Sequence, residues 1–265
     1  MKTFSIVLFF CTVMVVLQRP TSAQSKLQAP PEPNKRFALI IGVEAYDKAN
    51  GIIPLVGPEN DANSLGDAII KNAGFPEKNV IIMSSKKVGN MLPTKNNIIR
   101  ELSKLKNKVP SEGMLLVAFS GHGIETGGET YFLAQDSMTF GTDSTALATS
   151  SVSLSLLKQI IQDGKIQQVL VFFDACREDP EDSKGVRDNR LSTKTVTAAT
   201  FDEINKSIRG FAVLFASSPG QRSFTIPGQN RGYFSAALVD GIKGKAAGPD
   251  GSVTLASLMD YVRNK

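Results

Sequence analysis

The chain contains one histidine, His122, and two cysteines, Cys11 and Cys176. His122 stands in "FSGHG" and Cys176 in "FFDACRED", 54 positions apart, each just past the end of an apolar run. A thiolate is a strong nucleophile, and an adjacent imidazole can lower the thiol's pKa or take its proton during attack. The glycines flanking His122 let backbone approach a ligand closely. N–H groups at Gly123 and at Cys176 itself could hold the oxyanion that develops in acyl transfer. Metal binding is the competing use of a Cys/His pair, but zinc wants three or four protein ligands, and the remainder would have to be carboxylates. The plain alternative is structural, since free cysteine is among the most buried residue types. "GHGIETGG" fits neither a phosphate-binding loop nor a dinucleotide fingerprint.

Both residues need strands to bring them together. "RFALIIGV" (36–43), "NVIIMSS" (79–85), "GMLLVAFSGHG" (113–123), "QQVLVFFDAC" (167–176) and "GFAVLFASS" (210–218) are continuous apolar runs of the kind buried on both faces. "TYFLAQD" (130–136) is a shorter extended piece. Between them lie helical patterns. "PENDANSLGDAIIKNAG" places Ala62, Leu65, Ala68 and Ile69 on one face, with Asn60 or Asp61 able to cap it and Gly74 to stop it. Residues 94–108, with Thr94 as N-cap, 151–163, 232–243 and 253–263 read as further helices. This alternation predicts an α/β fold with a largely parallel sheet covered on both sides. Sites in such sheets form at the carboxyl ends of strands, where His122 and Cys176 both fall.

The N-terminus predicts an exported chain. Lys2 followed by the apolar run Phe4 to Leu17 and the small residues Thr21-Ser22-Ala23 is the pattern of a secretory signal peptide over residues 1–23. An uncleaved anchor is the rival reading, although the run is short against the roughly 20 apolar residues of a span. Removal of the signal takes Cys11 with it and leaves 242 of the 265 residues, with the net charge falling from +5 to +3 through loss of Lys2 and Arg19. A secreted or periplasmic chain with one cysteine has no internal disulfide, which points to intermolecular pairing or a reactive thiol. The mild basicity, without a Lys/Arg block or interleaved aromatics, argues against nucleic acid. No later stretch is apolar enough to cross a membrane, so no stable membrane insertion is expected after signal removal, and no exposed apolar strand marks a dimer edge, so a monomer is expected. Residues 24–35 are a Pro-rich linker, and residues 177–210 are a polar connection too long for an ordinary loop.

At this point the motifs resemble a known family. "FSGHG" and "FFDACRED" are similar to the His-Gly and Ala-Cys-Arg signatures of the caspase-like cysteine peptidases, and the separation agrees with the roughly 50 residues of the caspase pattern. "ALIIGVEAY" followed by "PENDANSL" resembles the start of these domains, and "GYFSAALVDGI" their end. The likeness covers residues 36–263, and the domain is taken as 36–265. It implies a three-layer α/β/α sandwich with a sheet of about six strands. It also implies a cysteine endopeptidase acting on peptides or proteins through a Cys176–His122 dyad; no cofactor is assigned, with calcium open.

The chain departs from animal caspases, which carry Gln two residues before the cysteine and Gly two after, where Asp174 and Glu178 stand here. An acid at the first place resembles metacaspases and paracaspases, and Asp61 matches the second acid of their substrate pocket. The resemblance therefore implies cleavage after Arg or Lys, because a buried carboxylate pair calls for a cation. Helix capping for Asp61 and a strand-end hydrogen bond for Asp174 remain as plain alternatives. Arg222 in "SSPGQRSF" counts against a basic preference, leaving open an Asp-directed hydrolase, one acting on other esters or amides, or a non-catalytic binding module. Residues 177–210 lie where related enzymes are cut between their parts, and Lys184, Arg187, Arg190, Lys194, Lys206 and Arg209 are candidate self-cleavage points. Ordinary solvated loop charge is the alternative for these. Asp179, Glu181, Asp182 and Asp188 could hold calcium, as in many metacaspases, but their spacing fits no loop motif.

Overall fold

Runs of Val, Ile, Leu and Phe have no polar face to turn to solvent, so they are stable only in the middle of a layered fold. A computed structural model describes residues 31–47, 50–139, 144–175, 210–216 and 225–265. In it β1 (Arg36–Gly42), β2 (Val80–Ser84), β3 (Met114–Ser120), β7 (Gln168–Asp174) and β8 (Gly210–Phe215) pair in the order β2-β1-β3-β7-β8. Every pairing is parallel. The α/β expectation holds, with five strands in the parallel sheet among the described residues where about six were expected. The extended piece at 130–136 does not join this sheet. As β5 (Glu129–Phe132) it pairs antiparallel with β4 (Gly123–Thr126) and β6 (Val152–Ser153).

Alternate residues of the central strands feed two cores. Phe37, Leu39 and Ile41 of β1 face one side with α2 (Lys95–Lys108) and α4 (Leu154–Gln162). Ala38 and Ile40 face the other with α1 (Pro58–Asn72), α5 (Tyr233–Asp240) and α6 (Leu255–Arg263). That is the three-layer sandwich. Thr94 caps α2 as expected, its Oγ1 accepting from the Asn97 N–H at 3.3 Å. The helix read over 151–163 is shorter, because Val152–Ser153 is spent on pairing with β5 and Ser153 becomes the cap of α4. A short helix, α3 (Ser144–Ser150), precedes it and was not expected.

The strand ends beneath the candidate site are pinned by four phenylalanines. Phe119 lies 5.4 Å from Phe132 and 5.6 Å from Phe173, ring centre to ring centre, and Phe173 lies 4.1 Å from Phe132 and 5.5 Å from Phe215. Each such pair contributes about 0.5–1.5 kcal/mol beyond its burial. Phe119 and Phe173 directly precede Ser120 and Asp174, which are register partners, so the cluster fixes where the ends of β3 and β7 stand.

Candidate active site

Asp174 is the last residue of β7, and Asp61 sits in the first turn of α1. The capping alternative for Asp61 fails. α1 starts at Pro58 with Gly57 as N-cap, and its first N–H groups are met by Glu44, whose Oε1 accepts from Gly57 at 2.9 Å and Glu59 at 3.2 Å. Asp61 therefore points inward and is 3% exposed, and Asp174 is 5% exposed. The Gly232 N–H donates to both Asp61 carboxylate oxygens, at 3.2 and 3.1 Å, and Ser120 Oγ donates at 3.1 Å. Asp174 accepts from the Ser235 N–H at 3.1 Å and from Ser235 Oγ at 2.6 Å. Both carboxylates press on the same backbone atom, because a methyl group on Gly232 would overlap Asp174 Oδ2 and come within 3.3 Å of Asp61 Oδ2. Only glycine fits there.

Two like charges out of water cannot both be held cheaply. Burial, and then the neighbouring Asp174, push the Asp61 carboxyl up to about 7, against the downward pull of Gly232, Ser120 and the Arg231 charge. A water-sized space lined by Asp61, Ser120, Asp174 and Ser235 lies beside the pair.

His122 follows two residues after Ser120. The Gly121 N–H donates to the Asp174 carbonyl at 3.1 Å, which ties the two strand ends together. The Tyr46 hydroxyl accepts from the His122 N–H at 2.9 Å and lies 3.3 Å from the Leu133 carbonyl, and its ring stands 5.0 Å from the imidazole. Gly121 is needed for this, since a Cβ would come within 2.7 Å of the Tyr46 hydroxyl. His122 Nε2 lies 2.8 Å from the Ile53 carbonyl. A carbonyl only accepts, so Nε2 carries the proton and Nδ1 keeps its lone pair. Burial pushes the imidazole pKa below 6.5, outweighing the Ile53 carbonyl, which favours the charged ring. The Leu133 N–H donates to the His122 carbonyl at 3.0 Å, and in an antiparallel ladder this alternation turns the Gly123 N–H away from its partner Phe132.

A family model of the caspase domain matches residues 35–265, nearly the whole chain. The chain belongs to the caspase-domain family. This is a family of cysteine peptidases, and peptides or proteins are its substrates. No curated protein matches the chain.

Within this caspase domain the structure brings together Asp61, Asp174, His122 and Gly123 at the carboxyl ends of β3 and β7. Cys176, two residues past Asp174, lies outside the described residues. So do Glu178, Arg222, the acids Asp179, Glu181, Asp182 and Asp188, and the basic residues Lys184, Arg187, Arg190, Lys194, Lys206 and Arg209. The cation near Asp61 among the described residues is Arg231, which the sequence reading passed over; its Nε and Nη2 are buried without a hydrogen-bond partner there. Ser120, Gly232 and Ser235 were also missed, although "FSGHG" and "GYFSAAL" contain them. Position at a strand end, in register with Asp174, is the signal that would have found Ser120. The Ile53 carbonyl has no sequence signal at all, because every residue carries one.

Proposed function

We propose that this caspase domain is an exported cysteine endopeptidase that cleaves after arginine or lysine. The observation that carries the reading is the convergence of two almost fully buried carboxylates, Asp61 and Asp174, on Gly232 beside the strand end that leads into His122. Burying acids costs stability unless a cation or proton meets them, and a substrate guanidinium or ammonium supplies the cation. Ser120 and Ser235 fix the oxygens so that little reorganisation is needed when it arrives. Arg231 moderates the preference, because its charge already offsets part of the Asp61 carboxylate.

In this reading Cys176 is the nucleophile. Covalent geometry keeps its Cα within about 7 Å of the Asp174 Cα. The thiol proton passes to His122 Nδ1 as sulfur attacks the scissile carbonyl carbon. The oxyanion is met by the N–H groups of Gly123 and Cys176. Collapse expels the amine, which takes the proton from His122, and leaves a thioester. Water then adds with His122 again as base, releasing the acid and restoring the thiol. Residues 1–23 act as the export signal, and Lys184, Arg187, Arg190, Lys194, Lys206 and Arg209 are the self-cleavage candidates.

The test uses fluorogenic peptides ending in Arg, Lys or Asp, with wild type beside Cys176→Ala, in the presence and absence of calcium. Thiol-dependent hydrolysis of the Arg and Lys peptides is expected. Full activity in Cys176→Ala removes the dyad, and an Asp preference removes the acidic-pocket argument while leaving the dyad. Mass spectrometry of both proteins reads signal removal and any cuts within 177–210.

A further inference from the structure

The carbonyl that holds the His122 imidazole belongs to a residue whose side chain faces solvent. Ile53 is 77% exposed, and Val56, three residues on, is 62% exposed. These are two of the few large apolar side chains so placed among the described residues, and both lie in one short stretch of "GIIPLVG". The stretch is firmly attached. Ile52 is buried in the core, and the Asn50 carbonyl accepts from Thr139 Oγ1 at 3.0 Å. The Leu55 N–H donates to the Glu44 carbonyl at 2.9 Å, and the Gly57 N–H to Glu44 Oε1 at 2.9 Å. The loop is therefore held in place with the Ile53 and Val56 side chains outward and its Ile53 carbonyl against the imidazole.

The chemistry assigns a side to this patch. The base that accepts the thiol proton hands it to the departing amine, so the imidazole stands on the leaving-group side of the scissile bond. Nδ1 is the nitrogen free for that transfer, because Nε2 is tied to Ile53. A chain continuing past the scissile nitrogen crosses the imidazole and meets the residues beyond it. We propose that Ile53 and Val56 form an apolar subsite for the substrate residue that follows the scissile bond, favouring a branched or aromatic side chain there. The proposal rests on the reading of His122 as general base and acid. Together with the acid pair it specifies a substrate of mixed character: a basic residue before the cut and an apolar one after it.

The test uses internally quenched peptides identical up to a scissile Arg and carrying Leu, Phe, Ser or Asp immediately after it. The kcat/KM ratio of the Leu to the Ser peptide is compared within each protein, so that partial loss of activity cancels. Wild type is expected to prefer Leu by about tenfold, the discrimination a small apolar pocket supplies. In Ile53→Ser/Val56→Ser the ratio falls to near one, and in the conservative Ile53→Val it stays close to wild type. A flat ratio in wild type, or one that survives the double substitution, overturns the proposal while the peptidase reading stands. A concentration-dependent dimer abolished by Ile53→Ser, together with a flat ratio, would assign the patch to self-association instead. Absence of any thiol-dependent hydrolysis by wild type overturns the peptidase reading, and this proposal with it.

Discussion

Replacing Asp61 by asparagine should make the folded protein more stable above neutral pH while sharply weakening the proposed cleavage after basic residues. The Asp61 carboxyl stands at about 7 in the fold against an ordinary 3.8, through burial and the adjacent Asp174. Between those two values the folded state holds a proton that the unfolded chain has released. Stability is therefore greatest below about pH 3.8, falls as pH rises through the window, and is level again above about 7. At 1.36 kcal/mol for each pH unit, the ionised carboxylate costs the fold about 4 kcal/mol above neutrality. The amide removes that charge, but it offers one acceptor oxygen where the Gly232 N–H and Ser120 Oγ had two. The poorer hydrogen bonding returns about 1–2 kcal/mol. A net gain of about 2–3 kcal/mol remains at pH 8, or roughly 4–12 °C in Tm for a domain of this size. Thermal unfolding of Asp61→Asn at pH 4 and pH 8, in a Cys176→Ala background that prevents self-cleavage, reads the effect. The gain should be large at pH 8 and reverse at pH 4, where the carboxyl is protonated in the fold and only the poorer hydrogen bonding remains, to a loss of about 1 kcal/mol. In the active background the same change should lower kcat/KM for an Arg peptide by about a hundredfold or more, the cost of leaving a buried cation half-paired. A variant less stable than wild type at pH 8, or a Tm difference that ignores pH, would refute the reasoning.

Two further outcomes follow from the same geometry. Because His122 is the only histidine, its ring protons in an untagged Cys176→Ala protein can be followed by NMR without ambiguity, and their midpoint should lie below 6.5. A midpoint above that value would mean that the Ile53 carbonyl, not burial, dominates. Gly232→Ala should cost about 1–3 kcal/mol in a urea melt, since the methyl overlaps Asp174 Oδ2, and should depress Arg-peptide turnover. Wild-type stability and turnover would show that the two carboxylates do not converge on this residue.

The fold was legible because burial leaves a local trace. "RFALIIGV" and "QQVLVFFD" announce strands covered on both faces by having no polar alternation, and the helices between them carry their apolar faces at helical spacing. The boundaries that went astray did so where pairing overrode pattern. Val152 and Ser153 look helical by composition, but they are taken by β5. "TYFLAQD" reads only as an extended piece with no stated partner, and it turns back antiparallel on the strand that starts at Gly123. An apolar run states that it will be buried and leaves unstated beside which neighbour.

The sequence alone determined the chemistry on offer: a single histidine and the cysteine Cys176 past two apolar strands, and an aspartate placed before that cysteine. Those are properties of residue type and of position along one strand, and a local pattern is enough to encode them. Tertiary structure decided which groups meet. The pairing of Asp61 with Asp174 across Gly232, the raised carboxyl pKa that results, and the imidazole tautomer set by the Ile53 carbonyl join residues from distant stretches of chain. Burial, charge and hydrogen-bond direction act through space at a few ångströms, and only the packed sheet and its helices bring such residues that close.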